Sequence, residues 1–343
     1  MWSWRRVAVV IVAAAGVLVA GAPQGVQAQN FFEGKTITIT IGFAPGGAYD
    51  SYTRLLAQFL PKHIPGNPIV IVANRPGAGG LTAFNQTAKT APKDGTLIHI
   101  ASQGLLLKEI SDPEGMLASM ADLHWLGNIT QSNNVMATWH TSSIKSIEEA
   151  RKREVTLASS GAGSTSAQMP LVYNNLLGTQ FKPIMGYEGG AAANLAMERG
   201  ETEGRATNTW SGYRSYYPDA KAKLNVLVQI GLRRDPDIAD VPLLTELVKN
   251  DPRKHAVALV ISQTLALARC FAVPPGTPAE RVEILRRAFE ASVKDPDLLA
   301  QAAKQELEIS PMTGQEVEAV IKQVLGTPAD IRQDAKTALG ITK

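Results

Sequence analysis

The chain has one cysteine, Cys270. That excludes an intrachain disulfide even in an oxidising compartment, a cysteine-based metal site, and a lipid anchor on a cysteine behind a leader. It has no lysine/arginine tract, and its formal net charge is only +3. No basic excess therefore favours nucleic acid as a partner. HExxH, CxxC, GxSxG and the GxxxxGK(S/T) loop are all missing, which removes the usual starting points for zinc-protease, dithiol, serine-hydrolase and P-loop chemistry. The five histidines, His63, His99, His124, His140 and His255, lack metal-ligand spacing, so each reads as structural. No cofactor is expected. No low-complexity segment or solenoid-length repeat occurs.

What is present begins with a leader. Arg5 and Arg6 precede an uncharged apolar run from Val7 to Ala20, and Val26 and Ala28 stand where a signal peptidase reads small residues. The run is short for a membrane span. We expect cleavage near Ala28 and a periplasmic mature chain. Removing 28 of 343 residues leaves 315, enough for two domains with ample core. The leader takes two arginines with it, so the mature charge is near +1. The most apolar later stretch, His255 to Val273, is interrupted by Ser262, Gln263, Thr264 and Arg269. It reads as a buried helix or strand pair.

Strand and helix signals alternate. Lys35–Phe43, Pro68–Asn74 and Asp94–Ser102 read as strands, with helices after the first two. In the first helix Leu55, Leu56, Phe59 and Leu60 share a face, and Pro61 ends or bends it. The middle repeats the pattern, with helices over Ser143–Glu154 and after the turns at residues 159–165 and 187–190. The C-terminal part is mostly helical. Thr277-Pro278 with Glu280, and Thr313 with Glu316, read as capping boxes. The expected fold class is α/β with two hinged domains: 29–130 plus 232–343, and 131–231. The tail should return to the first domain, and crossovers near 126–135 and Gly231 should form the hinge.

Three glycine-rich turns join strand to helix: Pro45-Gly46-Gly47, Ser159 to Thr165, and Tyr187-Glu188-Gly189-Gly190. Helix N-termini carry unpaired N–H groups and partial positive charge. Glycine lets a ligand oxygen approach, so such turns can hold an anion without lysine or arginine. Any one of them is equally well ordinary loop chemistry. Asp50 reads as the first helix's cap, since a carboxylate does not itself bind an anion. Gly77-Ala78-Gly79-Gly80 starts like a dinucleotide fingerprint, but Thr82 holds the third glycine's place; close packing is the better reading. In open α/β sheets ligands sit at the carboxyl ends of strands, so two such edges facing across a hinge would clamp a small anion.

Taken in order, "IGFAPGGAYDSYTRLLAQFL", "VIVANRPGAGGLTAFNQTAKTAPKDGTLIHIAS", "SSGAGSTS", "YEGGAAANLAMERGE", "DVPLLTEL" and "FAVPPGTPAERVEILRRAF" resemble segments of the periplasmic substrate-binding proteins of tripartite tricarboxylate transporters, the Bug family. The likeness covers nearly the whole mature chain. It implies a hinged, Venus-flytrap fold of type II character, each domain a mixed sheet flanked by helices. It also implies capture of a small organic carboxylate, a di- or tricarboxylate with aromatic acids included, for delivery to a permease of one large and one small membrane subunit. The chain itself would be a monomer. The implied contacts are Ala44, Pro45, Gly46, Gly47, Ser102 and Gln103 from the first domain. From the second they are Ser160, Gly161, Gly163, Ser164, Thr165, Tyr187, Gly189 and Asn208, the last filling the place where relatives carry an acid or asparagine. Arg205, Trp210, Tyr213 and Arg214 depart from the family pattern. Trp210 and its tyrosines either stack on the ligand or serve burial. Two other classes stay open: a sensor subunit presenting ligand to a membrane receptor, and an exported enzyme, for which no nucleophile–base pair can be assembled.

Overall fold

A computed structural model of the chain describes residues 31–341; the leader and its cleavage point lie outside them. The β-branched run Thr36–Ile41 forms β1, parallel to both β2 (Ile69–Asn74) and β3 (Leu97–Ala101). In a parallel sheet the crossover helices cover both faces, so for an inner strand alternation matters less than bulk. Ile37, Ile39 and Ile41 are fully buried, whereas edge strand β2 leaves Ile69 and Ile71 exposed. Helices α1 (Ala48–Phe59), α2 (Leu81–Lys89) and α3 (Gly104–Ser111) follow the three strands. Pro61 tightens rather than ends the first helix, which passes into a 3-10 turn over Leu60–His63.

After β4 (His124–Asn128) the chain enters a second sheet. It contains β5 (Asn134–Trp139), β6 (Val155–Ala158), β7 (Phe181–Ile184), β8 (Gly204–Thr209) and β9 (Leu224–Ile230), in the order β7-β6-β8-β5-β9. β6 runs parallel to β7 and β8, and β5 antiparallel to β8 and β9. Helix α4 (Thr165–Leu177) follows β6 and α5 (Gly190–Glu198) follows β7. The remainder comprises α6 (Pro252–Leu265), β10 (Cys270–Val273), α7 (Ala279–Ser292), α8 (Pro296–Lys304), β11 (Met312–Thr313), α9 (Gly314–Leu325) and α10 (Ala329–Ala338). β10 inserts antiparallel between β3 and β4, giving the first sheet the order β11-β4-β10-β3-β1-β2. Two mixed α/β sheets, each flanked by helices, make the bilobed architecture of a periplasmic binding protein.

Some local expectations change. The helix expected over Ser143–Glu154 shrinks to Ile147–Ala150: Ser146 and Glu149 form a capping box, but a run of charged residues follows it with no apolar face to bury. His255–Val273 is one helix followed by one strand, neither a single helix nor a strand pair. Thr277 does not cap α7, because its hydroxyl donates to the Pro274 carbonyl at 2.8 Å and leaves Pro278 at the cap position. Thr313 and Glu316 do form the reciprocal box. In Gly77 to Gly80 the glycines serve close packing: a Cβ on Gly77 would crowd the Thr82 side chain, and one on Gly80 would lie 3.0 Å from that of Ser102.

One apolar cluster runs from the first sheet through α3, α6 and α10 into the second, taking in Leu105, Trp125, Val257, Ala335, Met169 and Leu157. Away from this shared core the loops of the two lobes come close enough for their backbones to bond, alongside side-chain contacts. Gly163 N–H donates to Ala78 O (3.0 Å), Ala44 N–H to Glu188 O (3.2 Å), and Ser102 Oγ–H to Gly163 O (3.3 Å). Gly79 has φ +68°, and a Cβ there would lie 2.6 Å from Gly161 O. On the opposing loop a Cβ on Gly161 would lie 2.8 Å from Ala78 Cα, and one on Gly163 2.7 Å from Ala78 O. Only glycine permits loops to approach this closely.

Two predictions follow from this packing. Gly161→Ala should fold but hold the lobes apart, giving a larger radius of gyration in solution scattering. Gly178→Ala is the control: Gly178 has φ +74° with open space around it, so alanine there should cost about 1 kcal/mol of stability without changing lobe spacing. His99 provides the second. It is fully buried in β3, with Nδ1 3.1 Å from Thr40 Oγ1 and Nε2 unpartnered. Burial pushes its pKa down from 6.5 to about 4. The unfolded chain therefore takes up a proton below pH 6.5 that the folded chain refuses. Stability should fall between pH 6.5 and 4, by about 3 kcal/mol from this group. Urea unfolding against pH should show His99→Gln to be flatter over that window; an unchanged slope would contradict the assignment.

Candidate functional site

Where the strand ends of the two sheets face each other, a cavity of about 50 Å³ remains. Four helices point their N-termini at it: Gly47, Ala48 and Tyr49 of α1, Gln103 before α3, Ser164, Thr165 and Ser166 of α4, and Gly189 and Gly190 of α5. The amides of Ala48, Thr165 and Gly190, first in their helices, have no acceptor in a preceding turn. The termini meet in opposed pairs. A Cβ on Gly47 would lie 3.1 Å from Gly190 N, bringing α1 against α5, and one on Gly104 would lie 2.9 Å from Thr165 N, bringing α3 against α4. Like dipole ends brought this close disfavour one another unless negative charge lies between them.

Nine of the residues expected from sequence line this cavity. Ala44, Gly47, Ser102 and Gln103 come from the first sheet's loops; Ser160, Ser164, Thr165, Gly189 and Asn208 come from the second. The other five do not. Pro45 and Gly46 stand outside its wall, and the Gly46 N–H is taken by Asp50 Oδ2 at 3.0 Å. Gly161 and Gly163 are spent on contact with Ala78 and Gly79. Tyr187 lines a neighbouring groove with Gly161 and Glu188, its hydroxyl 3.3 Å from Glu201.

Asp50 is not the N-cap, a position held by Gly47. It lies in the first turn and accepts from Gly46 N, from Arg54 Nε at 2.9 Å and from Asn74 Nδ2 at 3.0 Å. Burial raises its pKa, but these donors together outweigh that and hold the carboxyl below the ordinary range. The Pro-Gly-Gly loop is thereby fixed from outside the cavity. Trp210 is fully buried in the second lobe's outer cluster, with Nε1 donating to Asp237 at 2.6 Å. Trp210, Tyr213 and Tyr217 serve burial and do not reach the cavity. Its aromatic surface comes instead from Phe43 and Tyr49, stacked with centroids 4.7 Å apart.

The main omission of the sequence reading is charge. Arg205 and Arg269 both line the cavity, 7% and 1% exposed. Arg205 Nη1 donates to Asn194 Oδ1 at 2.6 Å and Gly190 O at 3.3 Å. Arg269 donates to Ala268 O at 2.6 Å and Thr209 Oγ1 at 3.1 Å, and its guanidinium lies 4.1 Å from the Tyr49 ring centroid. In each the Nε atom is buried and unpartnered. No carboxylate lines the cavity, and neither arginine has an ion-pair partner within 4.0 Å among the described residues. Burial pushes the Arg205 pKa below its ordinary value, and Arg269 acts in the same direction. Guanidinium nevertheless stays charged in proteins. The sequence did carry a signal: Arg269 interrupts an apolar run, and Arg205 falls within a strand.

The wall adds neutral donors. Ser160, Ser164 and Ser166 share hydroxyl contacts of 2.9–3.2 Å, and Thr207 donates to Asn134 Oδ1 at 2.9 Å. The cavity is thus rich in donors, positively charged and free of acids. Among the described residues no histidine, lysine or cysteine lines it either, so none of them stands beside a serine hydroxyl there as a general base.

Comparisons with known proteins agree with this geometry. The chain is 28% identical over 318 residues to the "UPF0065 protein in gbd 5'region" of Cupriavidus necator, covering 89% of this chain and 88% of that one. Among solved structures, the periplasmic binding protein BugD superposes with a TM-score of 0.70 at 19% identity, covering 88% of this chain and 97% of that one. MatC of Rhodopseudomonas palustris, with bound malate, superposes with a TM-score of 0.67 at 18% identity, covering 89% and 99%. A family model described as "Tripartite tricarboxylate transporter family receptor" matches residues 53–334, which takes in the second sheet, the first sheet except β1, and every helix that points at the cavity except the first turn of α1. The chain therefore belongs to the tripartite tricarboxylate transporter receptor family, a class of extracytoplasmic solute-binding proteins that bind and do not catalyse.

Proposed function

We propose that this receptor captures a small organic carboxylate in the cavity between its two sheets and delivers it to a membrane permease of one large and one small subunit. The observation that carries this reading is a wall of opposed helix N-termini and arginines without a single acidic side chain. Such a wall favours an anion through preorganised N–H groups and fixed charge. Malate in the related MatC structure supports the class of ligand. Of the sequence-derived contacts, we assign direct roles to Ala44, Gly47, Ser102, Gln103, Ser160, Ser164, Thr165, Gly189 and Asn208. Residues 29–130 with 232–343 serve as one lobe and 131–231 as the other, a division supported by which strands enter which sheet. Ligand enters between separated lobes and is enclosed when the glycine loops meet.

Thermal unfolding with a panel of mono-, di- and tricarboxylates tests the proposal. A true ligand at about 100 times its Kd should add about 2.7 kcal/mol of stability. A broad panel in which no acid raises Tm would overturn the reading.

A further inference from the structure

We infer that Arg205 and Arg269 set the charge this receptor accepts, so that its ligand is a compact dicarboxylate dianion with one carboxylate for each arginine. This rests on the carboxylate reading above and sharpens it. Both side chains are more than nine-tenths buried on the cavity wall, each with an unpartnered Nε and neither with an acidic partner among the described residues. A buried charge left without a counter-ion is costly, and removing one member of a buried pair is strongly destabilising. Two such charges at one cavity require two compensating charges. A monoanion leaves one guanidinium uncompensated.

The arginines are anchored to different elements, which favours two separated anionic ends over one compact oxyanion. Arg205 is tied to α5 through Gly190 O and Asn194, beside the α1/α5 pair of N-termini. Arg269 is held by Thr209 and stacks on Tyr49, whose hydroxyl accepts the Gln103 N–H at 3.1 Å, just before α3. Each guanidinium is therefore associated with its own opposed pair of helix N-termini. A cavity of about 50 Å³ suits a short chain between the carboxylates. Closing the lobes without ligand would confine both cations and four positive helix ends in that space. The dianion thus neutralises the cleft at the moment it closes.

The test uses the full mature chain and calorimetric titration with succinate, malate, glutarate, adipate and phthalate. Each is paired with its half-amide, in which one carboxylate becomes a carboxamide of the same shape; butyrate, citrate, phosphate and sulfate complete the panel. The expected result is a dicarboxylate as the tightest ligand, with its half-amide at least about 100-fold weaker. Arg205→Gln should weaken the dicarboxylate by a similar factor and the half-amide by less than about 10-fold, so that discrimination collapses. Arg205→Lys should restore part of it, because the charge returns without the planar fork. Arg269 also supports neighbouring backbone, so Arg205 carries the decisive variants, with circular dichroism confirming their fold. A monocarboxylate, citrate, phosphate or sulfate as the best ligand, or unchanged discrimination in folded Arg205→Gln, would overturn this inference while the anion-receptor reading stands. A panel in which no organic acid binds would overturn the carboxylate reading itself.

Discussion

The structure depends on one electrostatic constraint: positive charge collected in a closed space whose lining, among the described residues, carries no acid to balance it. Four helix N-termini and two guanidiniums face the same cavity, while Asp50, in the first turn of α1, is bound to Gly46, Arg54 and Asn74. In a folded protein such an arrangement is disfavoured unless something supplies the missing charge. Here that something must be small and anionic, because the space is only about 50 Å³. The cost built into the cleft therefore doubles as its selectivity.

The glycines make sense within that constraint. Gly79, Gly161 and Gly163 let the loops bearing the helix termini come within backbone contact. Without that approach, water would sit between opposing dipoles and screen them, and the donors would lose most of their advantage over solvent. The shared apolar cluster through α3, α6 and α10 has the complementary role. It joins the two sheets on the side away from the glycine loops.

Most of the fold was legible in sequence because its elements are local. The β-branched run of β1, the Thr313–Glu316 box and the glycine turns each report their own backbone conformation. What was misread depended on which of several available partners each group takes. Thr277 looked like a cap until Pro274 O claimed its hydroxyl. Gly161 and Gly163 read in sequence as ligand donors, and turn composition gives no sign that Ala78 and Gly79 pack against them. Gly46 lost its N–H to a residue four positions along, an exchange of roles that turn composition alone does not distinguish.

The arginines show where the sequence argument failed in principle. An arginine in a strand or an apolar stretch says that a charge is buried, but its counter-ion is usually another side chain far along the chain. Sequence cannot show that this partner is missing. Only once the surroundings of Arg205 and Arg269 are known, with Asn194, Gly190, Thr209 and Tyr49 as neighbours and no acid among them, does the absence become information. An incomplete ion pair then describes its missing half: its sign, its approximate size, and the two ends at which it must carry charge. Backbone-dominated anion sites leave little trace in side chains, so this chain departs from that economy at the two positions where its ligand is most clearly inscribed.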